Sequence, residues 1–180
     1  MSQGAEGRGT GAGERIVAQV FIAGTPEAVW HEITKTDSVQ KCMFDTQLHT
    51  RSREPGSPFA MRTHTGRDTF VVGEILEWDP PHRYAHTFRF TCHDDPPCKV
   101  IYELREVEGG VEFLLVAEDV PDGTSTAKQM RGGLDSITKT LKAVVETGRP
   151  PFGVRMSYAL FRVLIPLVMP KRCRSENWPV

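Results

Sequence analysis

From Thr46 to Glu118 the chain reads as one short strand after another, each separated from the next by turn residues. The breaks fall at Pro55-Gly56, Gly66-Arg67-Asp68, Asp79-Pro80-Pro81, Asp94-Asp95-Pro96-Pro97 and Glu108-Gly109-Gly110. Connections this short make an antiparallel meander. The strands they delimit are Phe59 to Thr65, Thr69 to Trp78, Tyr84 to Thr91, Lys99 to Val107 and Val111 to Glu118. Alternation places Tyr84, His86, Phe88 and Phe90 on one face and Ala85, Thr87, Arg89 and Thr91 on the other. The aromatic set is expected to point inward, so this sheet has one face that something must cover.

The cover arrives last. After Asp119-Val120-Pro121-Asp122-Gly123 the apolar period becomes helical, with Leu134, Ile137, Leu141, Val144 and Val145 in one stripe that stops at Gly148 and Pro150. A shorter helix is expected at the other end. Arg15 to Ile22 reads as a strand, Thr25 offers an N-cap hydroxyl, and Pro26 and Glu27 suit the first helical turn. This helix should run to about Thr34 and bury Val29, Trp30 and Ile33, with a further helical turn starting at Asp37. The order is that of an α+β protein of the helix-grip kind, a curved antiparallel sheet wrapped around a long C-terminal helix.

Size and charge narrow the function classes. At 180 residues and 39% hydrophobic, the chain can bury the core of one domain without staples or metals. A net charge of −1 provides no field to recruit nucleic acid. Cys42, Cys92, Cys98 and Cys173 are scattered and no apolar signal-peptide core precedes them, so reduced thiols and a cytoplasmic location are expected. Residues 1–13 carry five glycines and almost nothing apolar, the composition of a disordered leader. Their Gly7-x-Gly9-x-Gly11 run lacks the preceding strand and following helix of a dinucleotide fingerprint. Residues 14–149 are then the domain, and 150–180 an apolar and basic extension.

Within that extension, Val154 to Met169 is strongly apolar, broken by Arg155, Arg162 and Pro166, and followed by Lys171, Arg172 and Arg174. Sixteen residues are fewer than the roughly 20 that a spanning helix needs. The segment exposes too much apolar surface to stand free, so it is expected to dock on the domain, pair with a second chain in a homodimer, or make peripheral contact with a membrane. Pro166 is expected to break any helix there.

Three stretches are more particular than this outline. They are Thr25-Pro26-Glu27-Ala28-Val29-Trp30, Gly73-Glu74-Ile75-Leu76-Glu77-Trp78-Asp79-Pro80-Pro81-His82-Arg83-Tyr84, and Leu141-Lys142-Ala143-Val144-Val145-Glu146-Thr147-Gly148. In order and spacing they resemble the START-like SRPBCC superfamily over about Ile16 to Gly148, specifically members similar to the C-terminal domain of the activator of heat-shock-protein-90 ATPase. The resemblance implies a helix-grip fold with a hollow interior. It also implies a range of roles: lipid binding, polyketide cyclase or aromatase activity, and chaperone activation. The family's Gly-Trp pair at the start of the last helix is here Gly132-Gly133, which implies a wider cavity at that end.

A cavity between the sheet and the last helix is expected to be lined by Trp30, Tyr84, His86, Phe88, Tyr102, Phe113, Ile137 and Leu141. His86 either orients a ligand or moves a proton, or is a core histidine bonded to a backbone carbonyl. Tyr102 either donates to a carbonyl ligand or simply packs. Arg62 is expected to face solvent. The loop Cys92-His93-Asp94-Asp95-Pro96-Pro97-Cys98 has the wrong thiol spacing for zinc, and His31-Glu32 lacks the second histidine of a zinc-protease helix, so neither a metal nor a cofactor is indicated. No strained nucleophile turn appears, so no catalytic residue is assigned. Binding of a small hydrophobic molecule is the function these residues favour, because aromatic and aliphatic walls with few titratable groups are typical of ligand sites.

Overall fold

The computed structural model describes residues 13–180, so the leader expected over residues 1–13 lies outside the described residues apart from Gly13. Seven strands form one antiparallel sheet: β1 (Glu14–Ile22), β2 (Thr46–Thr50), β3 (Pro58–Thr63), β4 (Thr69–Asp79), β5 (Arg83–Phe90), β6 (Cys98–Val107) and β7 (Gly110–Val120). Their order across the sheet is β1-β7-β6-β5-β4-β3-β2. Among the described residues there are three α-helices, α1 (Pro26–Thr34), α2 (Ser125–Thr147) and α3 (Phe152–Val168), followed by two short 3-10 turns, Lys171–Cys173 and Ser175–Asn177. The architecture is α+β and helix-grip, as the strand meander and the late amphipathic helix required.

Local chemistry accounts for the helix ends. The Thr25 hydroxyl accepts from the Ala28 amide at 3.2 Å and Pro26 opens α1. The Thr124 hydroxyl caps α2 by accepting from the Ala127 amide, and Gly148 closes it at φ 76°, a left-handed conformation that glycine adopts without steric cost. α2 packs across β1 and β7 and touches α1. Its stripe of Met130, Leu134 and Leu141 joins Ile22, Val29, Phe113 and Leu115 in one apolar core.

Several expectations are corrected. The turn expected at Asp37 is a bend, because the backbone leaves helical geometry at Lys35 (ψ 141°) and the buried Gln40 side chain ties the next segment to the Ile33 and Lys35 carbonyls. β2, which pairs with β3 at the sheet edge, is an additional strand whose five residues alternate too little to signal it. Pro166 does not break the C-terminal helix. It sits two residues from the end of α3, where only the Arg162 carbonyl loses a partner, and the Met169 amide still reaches the Ile165 carbonyl at 3.0 Å. Ala85 does face away from the aromatic set but is fully buried, in a small second cluster with Ile101 and Val116.

Gly73 lets β4 run close beneath its neighbours. A Cβ there would overlap the Thr87 carbonyl and come within 2.7 Å of the Phe59 ring. Gly73→Ala should therefore lower stability by about 2–4 kcal/mol, as overpacking against fixed backbone does. Urea unfolding would show it as a drop in the midpoint at unchanged slope.

Candidate functional site

The inner face of the sheet carries a connected wall of rings. Trp30 of α1 meets Trp78 of β4 edge-on at 5.2 Å, and Trp78 meets Tyr84 at 5.0 Å. Tyr84 stacks on Tyr102 at 5.3 Å and lies 5.0 Å from His86, which in turn contacts Phe59 at 4.7 Å and Phe88 at 6.3 Å. Phe113 continues the wall from Tyr102 at 6.2 Å. Of the eight residues read as lining a cavity, Tyr84, His86, Tyr102, Phe113 and Leu141 are buried, and Trp30, Phe88 and Ile137 are partly buried against the same core. The rings touch one another in sequence, so they form one continuous surface.

Trp78 and Phe59 belong to the wall, although strand alternation alone does not place them there. Strict alternation from Ile75 would turn Trp78 outward. A register shift between Ile75 and Glu77 makes Leu76 an extra residue, so Ile75 pairs with His86, Glu77 with Ala85 and Trp78 with Tyr84. Phe59 pairs with Gly73, which has no side chain to exclude its ring. The glycine opposite was the available signal.

His86 is 3% exposed and uses both ring nitrogens. Nδ1 donates to the Thr87 carbonyl at 2.8 Å, which leaves Nε2 to accept from the Tyr102 hydroxyl at 3.4 Å. Loss of solvent lowers the imidazole from 6.5 to about 4, only partly opposed by the Thr87 bond. Burial raises the Tyr102 phenol well above its ordinary value, with a smaller contribution from Cys42 nearby. At neutral pH the pair is uncharged: a donor and a weak base joined by a long bond that another acceptor can replace.

A second feature lies at the edge of the sheet. Lys41 to Asp45 forms a turn in which Phe44 and Asp45 take left-handed φ values of 54° and 60°. Buried Glu32 holds the turn's start, accepting from the Lys41 amide at 2.8 Å while pairing with Lys35 at 2.7 Å. α3 holds both its ends, through Tyr158 donating to the Lys41 carbonyl at 3.0 Å and Arg162 pairing with Asp45 at 2.7 Å. Between them lies a cleft of about 20 Å³ walled by Phe44, Phe70, Phe161, Ile165 and Pro166, with His64 at its rim. That is room for roughly one water. Gly132 and Gly133 lie well inside α2 rather than at its start, and the Phe44 ring comes within 3.8 Å of where a Gly133 side chain would begin.

Other candidates have ordinary partners. Arg62 is half-buried rather than solvent-facing, because the chain's end folds over it: Nη2 donates to the Trp178 carbonyl at 3.2 Å, while its buried Nε has no partner. His93 contacts Gln129, and the Cys98 thiol donates to the Phe88 carbonyl. Among the described residues no three His, Cys, Asp or Glu side chains gather as metal ligands.

His86 makes stability depend on pH. Above pH 6.5 the ring is neutral in both the folded and the unfolded chain. As pH falls from 6.5 toward about 4 the unfolded chain takes up a proton that the folded one refuses, so folding stability declines, by about 2 kcal/mol near pH 5. Urea titrations at pH 7 and pH 5 should show this loss in the wild type and a smaller loss in His86→Gln.

Comparison with known proteins follows the same lines. A search of curated proteins finds no match. A structure of an HSP90 activator from Plasmodium falciparum superposes with a TM-score of 0.60 at 16% identity, covering 77% of this chain and 99% of that one. The Aha1 dimer from Colwellia psychrerythraea gives 0.59 at 14% identity, covering 75% and 98%. CalU16 from Micromonospora echinospora gives 0.57 at 19% identity, covering 87% and 89%. Likenesses this remote establish the fold alone. The profile of the family described as Activator of Hsp90 ATPase homolog 1-like protein matches residues 23–146, from the loop before α1 almost to the end of α2, and the chain belongs to that family.

Proposed function

We propose that this protein binds a small hydrophobic molecule between the inner face of its sheet and α2, without chemistry. The observation that carries the reading is the His86–Tyr102 pair: two neutral polar groups, weakly bonded at 3.4 Å, in the middle of an otherwise aromatic wall. A ligand carbonyl can take the Tyr102 proton donor while its apolar body lies along Tyr84, Phe88 and Phe113. Burial holds His86 neutral and lowers its basicity, and among the described residues no second titratable base stands beside it in the wall, which favours binding over the cyclase or aromatase alternative. A cytoplasmic setting belongs to the same proposal, supported by four cysteines that are all unpaired.

A second reading, contact with a chaperone ATPase, is favoured by the family match and by the Plasmodium neighbour, itself described as an HSP90 activator. Binding of the protein to a heat-shock-protein-90 chaperone, or none, decides it.

Native mass spectrometry of the purified protein should detect a co-purifying small molecule, and an apolar dye should bind and be displaced by it. Ile137→Trp should weaken dye binding about tenfold, roughly 1.4 kcal/mol, with little loss of folding. Val17→Thr, on the half-exposed outer face of β1, is the control. If the wild type binds no apolar probe and Ile137→Trp unfolds as an overpacked core would, the interior is solid and the binding reading falls.

A further inference from the structure

α3 is amphipathic in the wrong sense for a helix docked on its own domain. The side facing the body holds Tyr158, its one buried residue, together with Arg162 and Ile165. The side facing outward holds Phe152, Met156, Leu160, Val163 and Leu167, spaced three and four residues apart and between 56% and 78% exposed. A continuous stripe of large apolar side chains turned to solvent marks a surface that is covered in use.

Charge selects what covers it. From Arg149 to Arg174 there are six cations and not one Asp or Glu. The whole chain is −1, so the rest of it carries −7. Arg162, Arg172 and Arg174 are spent on Asp45, Asp94 and Asp68 of the domain. Arg149 and Lys171 bracket α3 and Arg155 borders its apolar stripe, and among the described residues these three form no ion pair. A second copy is a poor cover, because a two-fold contact would set this cationic helix against itself with no carboxylate to meet it. A bilayer with anionic headgroups matches both properties, since it takes apolar side chains below the phosphates and cations among them.

Length sets α3 apart from a spanning helix. No single helix among the described residues is long and apolar enough to cross a membrane, and α3 turns away from α2 by 110°. Seventeen residues cover about 25 Å, less than the roughly 30 Å of a hydrocarbon core. We propose that α3 is an interfacial anchor lying in the plane of an anionic membrane, with Phe152, Met156, Leu160, Val163 and Leu167 below the headgroups and Arg149, Arg155 and Lys171 among the phosphates. The anchor goes beyond the ligand-binding reading and does not rest on it.

The test is co-sedimentation of the full chain with vesicles of phosphatidylcholine alone and of phosphatidylcholine mixed with phosphatidylglycerol. Binding to the anionic vesicles should exceed binding to the neutral ones and should weaken as salt is raised. Arg155→Gln and Lys171→Gln should each reduce binding about fivefold. The double variant Leu160→Glu, Leu167→Glu should abolish it at an unchanged thermal midpoint, since both side chains are exposed in the folded protein. Equal binding to neutral vesicles overturns the anionic assignment. No vesicle binding overturns the proposal, and light scattering that then shows a dimer dissolved by the same double variant assigns the face to a second copy.

Discussion

The extra residue in β4 organises the inside of this protein. By taking up one position between Ile75 and Glu77, Leu76 reverses the alternation of the strand and returns Trp78 to the face that carries Tyr84 and His86. A bulge costs a ladder hydrogen bond and bends its strand. Here it joins the wall of rings to α1, since Trp78 is the contact between Tyr84 and Trp30. Gly73, earlier on the same strand, makes the matching concession by leaving room for Phe59 against His86. Without either feature the aromatic residues of β5 and β6 would still face inward and touch one another, but the wall would reach neither α1 nor β3.

Within that wall the polar groups are kept neutral by the same burial that keeps the apolar groups dry. His86 satisfies one nitrogen on the Thr87 carbonyl next to it in sequence, which is the undemanding role open to a core histidine. Its other nitrogen accepts the longer bond from the Tyr102 hydroxyl, so both are held by their surroundings. The turn at Phe44 and Asp45 stands in a comparable position. It holds left-handed backbone because Glu32 from below and α3 from above leave it no alternative.

The C-terminal extension is tied down more firmly than its composition indicates. After α3, Arg174 bridges to Asp68, the Ser175 amide donates to the Arg67 carbonyl, and the Trp178 ring lies under Arg89 at 5.0 Å. α3 is thus held at both ends and along one side, and its orientation is set by polar contacts. Its most apolar surface is what remains uncovered.

Residues near one another in the chain determined what the sequence could reveal: the strands between their turns, the caps at Thr25 and Gly148, the stripe of α2, and the charge bias after Gly148. Each depends on period, propensity or composition over a few residues, and these act before any tertiary contact forms. The bulge at Leu76 carries no such local mark, so the inward turn of Trp78 was illegible while that of Tyr84 was plain. The partners of His86 and the place of α3 were out of reach for a related reason. Tyr102 lies 16 positions from His86, and Asp45 lies 117 from Arg162. Composition identified Val154 to Met169 as a segment needing cover, but which side met the protein was decided by the contacts of Tyr158 and Arg162 with a distant turn, and only packing brings those together.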